Sequence, residues 1–310
     1  MTMGGFDWVP LVLSVISAST PLLLAATGEL VTEKSGVLNL GVEGMMLAGA
    51  VVGFAASVAS GSGVVGIAAG GTAGALLALI FGVLTLTFLA NQVATGLALT
   101  IFGVGFSALM GAGYVGIALA PLPKLDIAGL SDLPVVGPIL FHQDILVYGS
   151  FVLLAGVGWF LYRTHAGLVL RSIGDSHDAA HAIGYPVIAI RYAAVTFGGA
   201  MCGLAGAYMS LAYTPQWAEN MTAGRGWIAL ALVVFATWRP ARLLLGAYLF
   251  GGISLLQLFL QAEGVRIPSQ FLTMLPYLAT IVVLVLISRD RTRIRLNAPA
   301  CLGKPFYAAG

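Results

Sequence analysis

Among 310 residues with only 12 acidic and 14 basic side chains, the groups that stand close enough together to do chemistry fall in three segments. The first runs from Ala25 to Ala50 and carries Glu29, Glu33, Lys34, Asn39 and Glu43 in apolar surroundings. Ionisable groups at membrane depth are costly and face a pathway or a partner group. Glu43 is the sharpest of them, whereas Glu29, Glu33 and Lys34 read equally well as an interfacial cluster bounding two apolar runs. The second segment, Pro215 to Pro240, sets Glu219, Asn220, Thr222 and Arg225 just before a short apolar run. Such groups suit the mouth of a path for a polar solute, and Trp217 and Trp227 suit an interfacial belt. The third, Arg163 to Arg191, is a polar loop in which Ser176 can cap a short helix over His177 to Ile183, with Asp178 in its first turn and Gly184 ending it before Pro186. A short polar helix between two spans is suited to docking on a soluble partner.

Other motifs carry less than their spelling suggests. Gly61 to Gly66 and Gly111 to Gly116 both fit G-x-G-x-x-G, but neither follows a plausible strand, and the first has no acid near it to hold a ribose. Gly28 to Ser35 comes within one residue of a P-loop, with Glu33 where the second glycine belongs. A carboxylate there repels the phosphates such a loop cradles. His177 and His181 share a helix face, yet no further ligand accompanies them, so they read as two surface histidines. Cys202 and Cys301 lie far apart and suggest neither a disulfide framework nor a metal site. No nucleophile and base stand together, so an enzyme is not expected.

The elements that must position these groups follow from composition. The chain is 59% hydrophobic and 8% charged, against roughly 25% charged in a soluble domain, which excludes a soluble globular protein. A net charge of +2 gives no footprint for nucleic acid. Apolar runs long enough for helices in lipid fall at about 9–28, 37–59, 64–84, 88–116, 144–162, 187–213, 226–238, 241–261 and 268–288. The expected fold is all-α: one polytopic bundle over 1–310 with about nine spans (eight to ten). Of the 14 basic residues, an outside N-terminus leaves Lys124, Arg225 and Arg266 outside and puts the others, from Lys34 to Lys304, in the cytoplasm. That orientation makes 163–191 a cytoplasmic loop and 289–310 a cytoplasmic tail. Many of the 41 glycines lie at helical spacing, among them Gly49 and Gly53, Gly70 and Gly74, and Gly199 and Gly203. In lipid such small residues let helices approach closely.

Four motifs resemble one family. They are Gly28-Glu29 with Glu33 to Gly44 (EKSGVLNLGVEG); Asn91 to Leu97 (NQVATGL); Arg171 to Asp175 (RSIGD) with Ala179, Ala180 and Gly184; and Thr222 to Ala231 (TAGRGWIALA). In this order they resemble the membrane permease subunits of bacterial ATP-binding cassette (ABC) importers for branched-chain amino acids, monosaccharides and nucleosides, the nucleoside permeases most closely. The resemblance implies a subunit of the bacterial cytoplasmic membrane that pairs with a second permease, identical or different. A periplasmic or lipoprotein binding protein would deliver solute, and a cytoplasmic ATPase would bind ATP and Mg, leaving the permease without a cofactor. With the polar groups read above, the candidates along the solute path are Asn39, Glu43, Asn91, Glu219, Asn220, Thr222 and Arg225. The resemblance places Arg171, Ser172, Gly174, Asp175, Ala179, Ala180 and Gly184 at the ATPase contact. One departure stands at Ala236-Thr237-Trp238-Arg239-Pro240, where the family has Gly-x-Trp-x-Pro. An ion-coupled secondary transporter is the rival from another class, and inverted repeats, its signature, are not evident.

Overall fold

A computed structural model describes residues 8–126, 136–262 and 297–307 continuously, with single positions between them. The first helix, α1 (Trp8–Lys34), has 27 residues, about 40 Å at 1.5 Å per residue. From Ala18 to Lys34 every residue is buried, so α1 is the axis of the bundle and not an outer span. Its hydroxyls are satisfied locally: Ser19, Thr20 and Thr27 each donate to the carbonyl four residues earlier.

Around this axis the chain builds α2 (Val42–Ser60), α3 (Gly63–Gly82), α4 (Gln92–Gly111), the short α5 (Val136–Leu140), α6 (Ile145–Arg163), α7 (His165–Asp175), α8 (His177–Ala182), α9 (Val187–Tyr208), α10 (Arg225–Phe235) and α11 (Pro240–Ala262). Single π turns, Val83–Thr87 and Met209–Tyr213, extend α3 and α9. Among the described residues, six of these helices are long and apolar enough to cross a membrane, and they match the first six apolar runs of the sequence. No strand forms among the described residues, where β pairing is limited to isolated bridges.

Glycines set the helix spacing. Gly49 lies against Gly203, Gly53 against Gly66, and Gly74 against Gly199. With no hydrophobic gain available between helices in lipid, close backbone approach supplies the packing, and α2, α3 and α9 meet backbone to backbone at these glycines.

The seventh apolar run forms a helix shorter than a full membrane crossing. Its helix, α10, covers 11 residues, about 16 Å against the ~30 Å of a bilayer core. Phe235 ends it, and Thr237 and Trp238 then turn through left-handed φ values of 48° and 53°. The eighth run becomes α11, and the ninth, 268–288, lies largely outside the described residues. The loop after α6 holds two helices where one was expected: α7, with its first turn capped by Thr164 Oγ1 accepting from Gly167 N, and α8, capped by Ser176 as the sequence suggested.

Candidate functional site

Glu43 stands at the first turn of α2 and is 4% exposed. Its Oε1 accepts from the Thr222 hydroxyl at 2.5 Å and from Gly224 N at 2.9 Å, and its Oε2 accepts from Gly226 N at 2.6 Å. The four N–H groups that open a helix have no partner within it, and here a side chain from a distant helix supplies the acceptor at the positive end of α10. The local sequence allows this at two points. Gly224 takes a φ of 84°, which turns its N–H toward the carboxyl group at no steric cost. A Cβ on Gly226 would fall 2.6 Å from Glu43 Cα, so only glycine lets the two backbones meet.

The opposite end of α10 is held by a second acid. Glu33 Oε2 accepts from the Trp238 indole N–H at 2.5 Å, and Arg242 Nη1 donates to Thr237 Oγ1. Since α10 is about 16 Å long, Glu43 and Glu33 lie about half a bilayer core apart. The residues between Lys34 and α2 close the gap by climbing back into the bundle. Leu38 N donates to Gln92 Oε1, Asn39 N donates to Glu29 Oε1, and Asn39 Oδ1 accepts from Gly41 N. Glu29 and Asn39 are fully buried, and Glu29 Oε2 and Gln92 Nε2 have no hydrogen-bond partner among the described residues.

The residues singled out by the sequence are therefore brought together in part. Asn39, Glu43 and Thr222 belong to one buried seam. Arg225 borders it, with its guanidinium 5.3 Å from the Tyr213 ring centroid. Asn91 stands apart as the cap of α4, accepting from Ala94 N. Glu219 and Asn220 are exposed on the segment leading down to α10. Trp217 from the same segment is buried against Gly111. Near that end of the bundle, Asp144 caps α6 by accepting from Leu146 N and Val147 N.

The α7–α8 residues divide by direction. Asp175, Ala179 and Gly184 are exposed, and Gly184 adopts a φ of 92° beyond the end of α8. Ala180 is buried, Gly174 packs against the Lys34 carbonyl, and Arg171 lies over the Tyr162 ring at 4.9 Å. The Ser172 hydroxyl turns back to the Leu168 carbonyl. His177 departs from expectation. It is 7% exposed, its Nδ1 lies 3.1 Å from Arg191 Nη2, and burial followed by that guanidinium holds its imidazole below the ordinary histidine value. Its spacing from His181 instead serves to receive the Phe306 ring edge-on, with both centroid distances 5.3 Å.

Arg191, Phe306 and Trp238 were not legible as site residues. Arg191 looked like one more basic residue flanking a span, Phe306 lies in a tail, and Trp238 pairs with an acid 205 positions away. Among the described residues no group of three or more His, Cys, Asp or Glu side chains could hold a metal ion.

A family model described as the permease component of branched-chain amino acid transport systems matches residues 11–287. A Haloferax volcanii protein, provisionally named the glucose ABC transporter permease protein TsgC13, is 40% identical, the match covering 93% of this chain and 94% of that one. The guanosine ABC transporter permease protein NupQ of Bacillus subtilis is 32% identical over 95% and 97% of the two chains. The nucleoside ABC transporter permease protein NupC of Lactococcus lactis is 31% identical over 89% and 91%. No solved structure matches.

Proposed function

From the premise that the chain belongs to the family of branched-chain amino acid transport permeases and is a multi-pass ABC permease subunit of the inner membrane, we propose that it forms the uptake path for nucleosides together with a second permease subunit. The observation that carries this reading is that NupQ and NupC, from two organisms and each matched over most of its length, are both named for nucleosides. Transport in this reading is a shift between outward-open and inward-open packings of one bundle, biased by ligands on either side. Hydrolysis of ATP takes place on a partner chain, and the permease needs no cofactor of its own.

The proposed topology has nine spans, α10 counted as a broken one, with the N-terminus outside and residues 289–310 in the cytoplasm. Its support is the gathering of basic groups at one end. Lys34 Nζ donates to Asn297 O, Arg239 reaches Asn297 Oδ1, and Arg191 Nη1 donates to Lys304 O, which is the distribution expected of the cytoplasmic side. In that orientation Asp175, Ala179 and Gly184 face the ATPase. The path lies beside the buried seam, bordered by Asn39, Glu43, Thr222 and Arg225, with Asn91, Glu219 and Asn220 toward its edges. A half-helix whose N-terminus lies at mid-depth is a recurrent way to present backbone groups to a solute inside a membrane.

The name of the 40% identical relative favours a second solute, a sugar. Competition decides between them. In proteoliposomes carrying the complete complex and its binding protein, unlabelled guanosine should displace labelled guanosine while excess glucose and leucine leave uptake unchanged. Displacement of binding-protein ligand by glucose alone would assign the system to sugars.

A further inference from the structure

The described tail, Asn297 to Tyr307, has no part in the solute path, yet it touches both the α7–α8 face and the residues that lead into the seam. On one side Cys301 N donates to the Gly174 carbonyl at 2.8 Å, Cys301 Sγ lies 3.4 Å from the Asp175 carbonyl, and Phe306, 6% exposed, meets the rings of His177 and His181. On the other side Gly303 N donates to the Gly36 carbonyl at 3.1 Å, and Lys34 Nζ donates to the Asn297 carbonyl at 2.6 Å. Arg191 crosses between the two. It is 1% exposed, and its Nε donates to Ser35 O at 3.1 Å while Nη2 meets His177 and Nη1 reaches Lys304 O.

From Gly36 the same backbone runs two residues to Leu38, bonded to Gln92, and three to Asn39, bonded to Glu29. It then opens α2, where Glu43 holds α10. Direct contacts thus join the exposed Asp175 and Ala179 to the half-helix in the membrane: Gly174 packs on Lys34 and Gly36, and the tail and Arg191 brace that junction. The apolar face of α7 adds Val169 and Ile173, which pack with Ala180, Val187 and Phe306 in a small cluster of their own, separate from the main core. A separately packed unit moves as a body when pushed, because close-packed clusters resist internal deformation.

We propose that the C-terminal tail is a clasp that carries movement of α7–α8 to the 35–41 segment, with Phe306 and Arg191 as its positioning residues. The proposal rests on the reading of the chain as an ABC permease whose α7–α8 face meets the ATPase. Neither residue contacts solute or nucleotide. Each fixes where the ATPase-facing helices stand relative to the intramembrane seam.

The experiment compares wild type, F306A and F306Y as complete complexes in proteoliposomes, reading ATP hydrolysed per labelled guanosine taken up. F306A should raise that ratio about fivefold or more, the low end of a coupling free energy between sites, while its ATPase activity stays high. F306Y, which keeps an aromatic ring between the two histidines, should restore the wild-type ratio. The ratio is read only on complexes that copurify, so lower yield does not confuse it. If F306A gives no complex, F306L is read instead, since it fills the site without a ring edge, and it should also raise the ratio. An unchanged ratio overturns the proposal. So does a parallel fall of ATPase and uptake, which would make the tail a stabilising element only. Absence of ATP-dependent uptake in the wild type would instead overturn the functional reading on which the clasp depends.

Discussion

The buried seam around α10 and the face formed by α7, α8 and the tail hold their polar groups by opposite means. At the seam, acids are met by neutral donors: Glu43 by a hydroxyl and two backbone N–H groups, Glu33 by an indole N–H. At the α7–α8 face the organising group is a cation, Arg191, spread over two carbonyls and an imidazole. The first arrangement is rigid, because each donor belongs to a helix end or a tight turn and has nowhere else to go. The second depends on a tail and on a histidine, both of which can change state. The bundle is thus built to hold at α10, which is fixed at both ends, and to yield at α7 and α8, which are attached through contacts that can be remade.

Removing Glu43 should do the most damage. E43A leaves the buried Thr222 hydroxyl and Gly226 N–H, and the half-buried Gly224 N–H, without that acceptor, and at about 1–3 kcal/mol for each buried unsatisfied donor the loss is about 2 kcal/mol or more. The expected outcome is a large drop in melting temperature of the detergent-purified protein. E43Q retains one acceptor oxygen and should lose less. W238F removes one donor to Glu33 and should cost about 1–3 kcal/mol. The two changes act at opposite ends of α10 and should add to within about 0.5 kcal/mol; strong coupling in a double-mutant cycle would show that α10 is not held independently at its two ends.

A smaller effect is expected at the tail, and it depends on pH. His177 is faced by Arg191 from α9, Lys304 from the tail and Asp178 from its own helix, with Phe306 on its ring edge. Because its pKa is lowered in the folded protein, the neutral form is the one that fits. The contribution of this contact is complete above the ordinary imidazole value of about 6.5 and is lost as pH falls below it toward the lowered value. Hydrogen exchange of the 297–307 peptide should therefore quicken at pH 5.5 beyond the intrinsic pH effect, and H177Q should abolish that excess. The smallest effect on stability is expected for D175A. Asp175 is exposed, so the melting temperature should stay unchanged while ATP consumed per solute rises; a fold defect would return Asp175 to a structural role.

Much of the fold was legible because lipid makes the sequence explicit. Six apolar runs became six long helices, and the glycines picked out by their spacing are the ones that meet across α2, α3 and α9. The shortness of the 226–238 run was visible, but its ending at Phe235 was not, since the left-handed turn falls on Thr237 and Trp238, residue types that ordinarily avoid it. The cap at Ser176 could be read from four consecutive residues. The bond from Trp238 to Glu33 and those from Arg191 to Ser35 and Lys304 could not, because they join positions 205, 156 and 113 residues apart, and no local pattern encodes such a pairing. Thr222, Gly224 and Gly226 were marked as a motif, and only their closeness to Glu43 explains why each must be what it is.

In the proposed function this bundle moves a nucleoside when an ATPase acts on its α7–α8 face. Uptake of labelled guanosine into proteoliposomes, with the complete complex, its binding protein and ATP, tests that claim most directly. Accumulation should require ATP, persist when a protonophore collapses the proton gradient, and be lost with a hydrolysis-deficient ATPase partner. Accumulation that continues without ATP and disappears with the proton gradient would contradict that function.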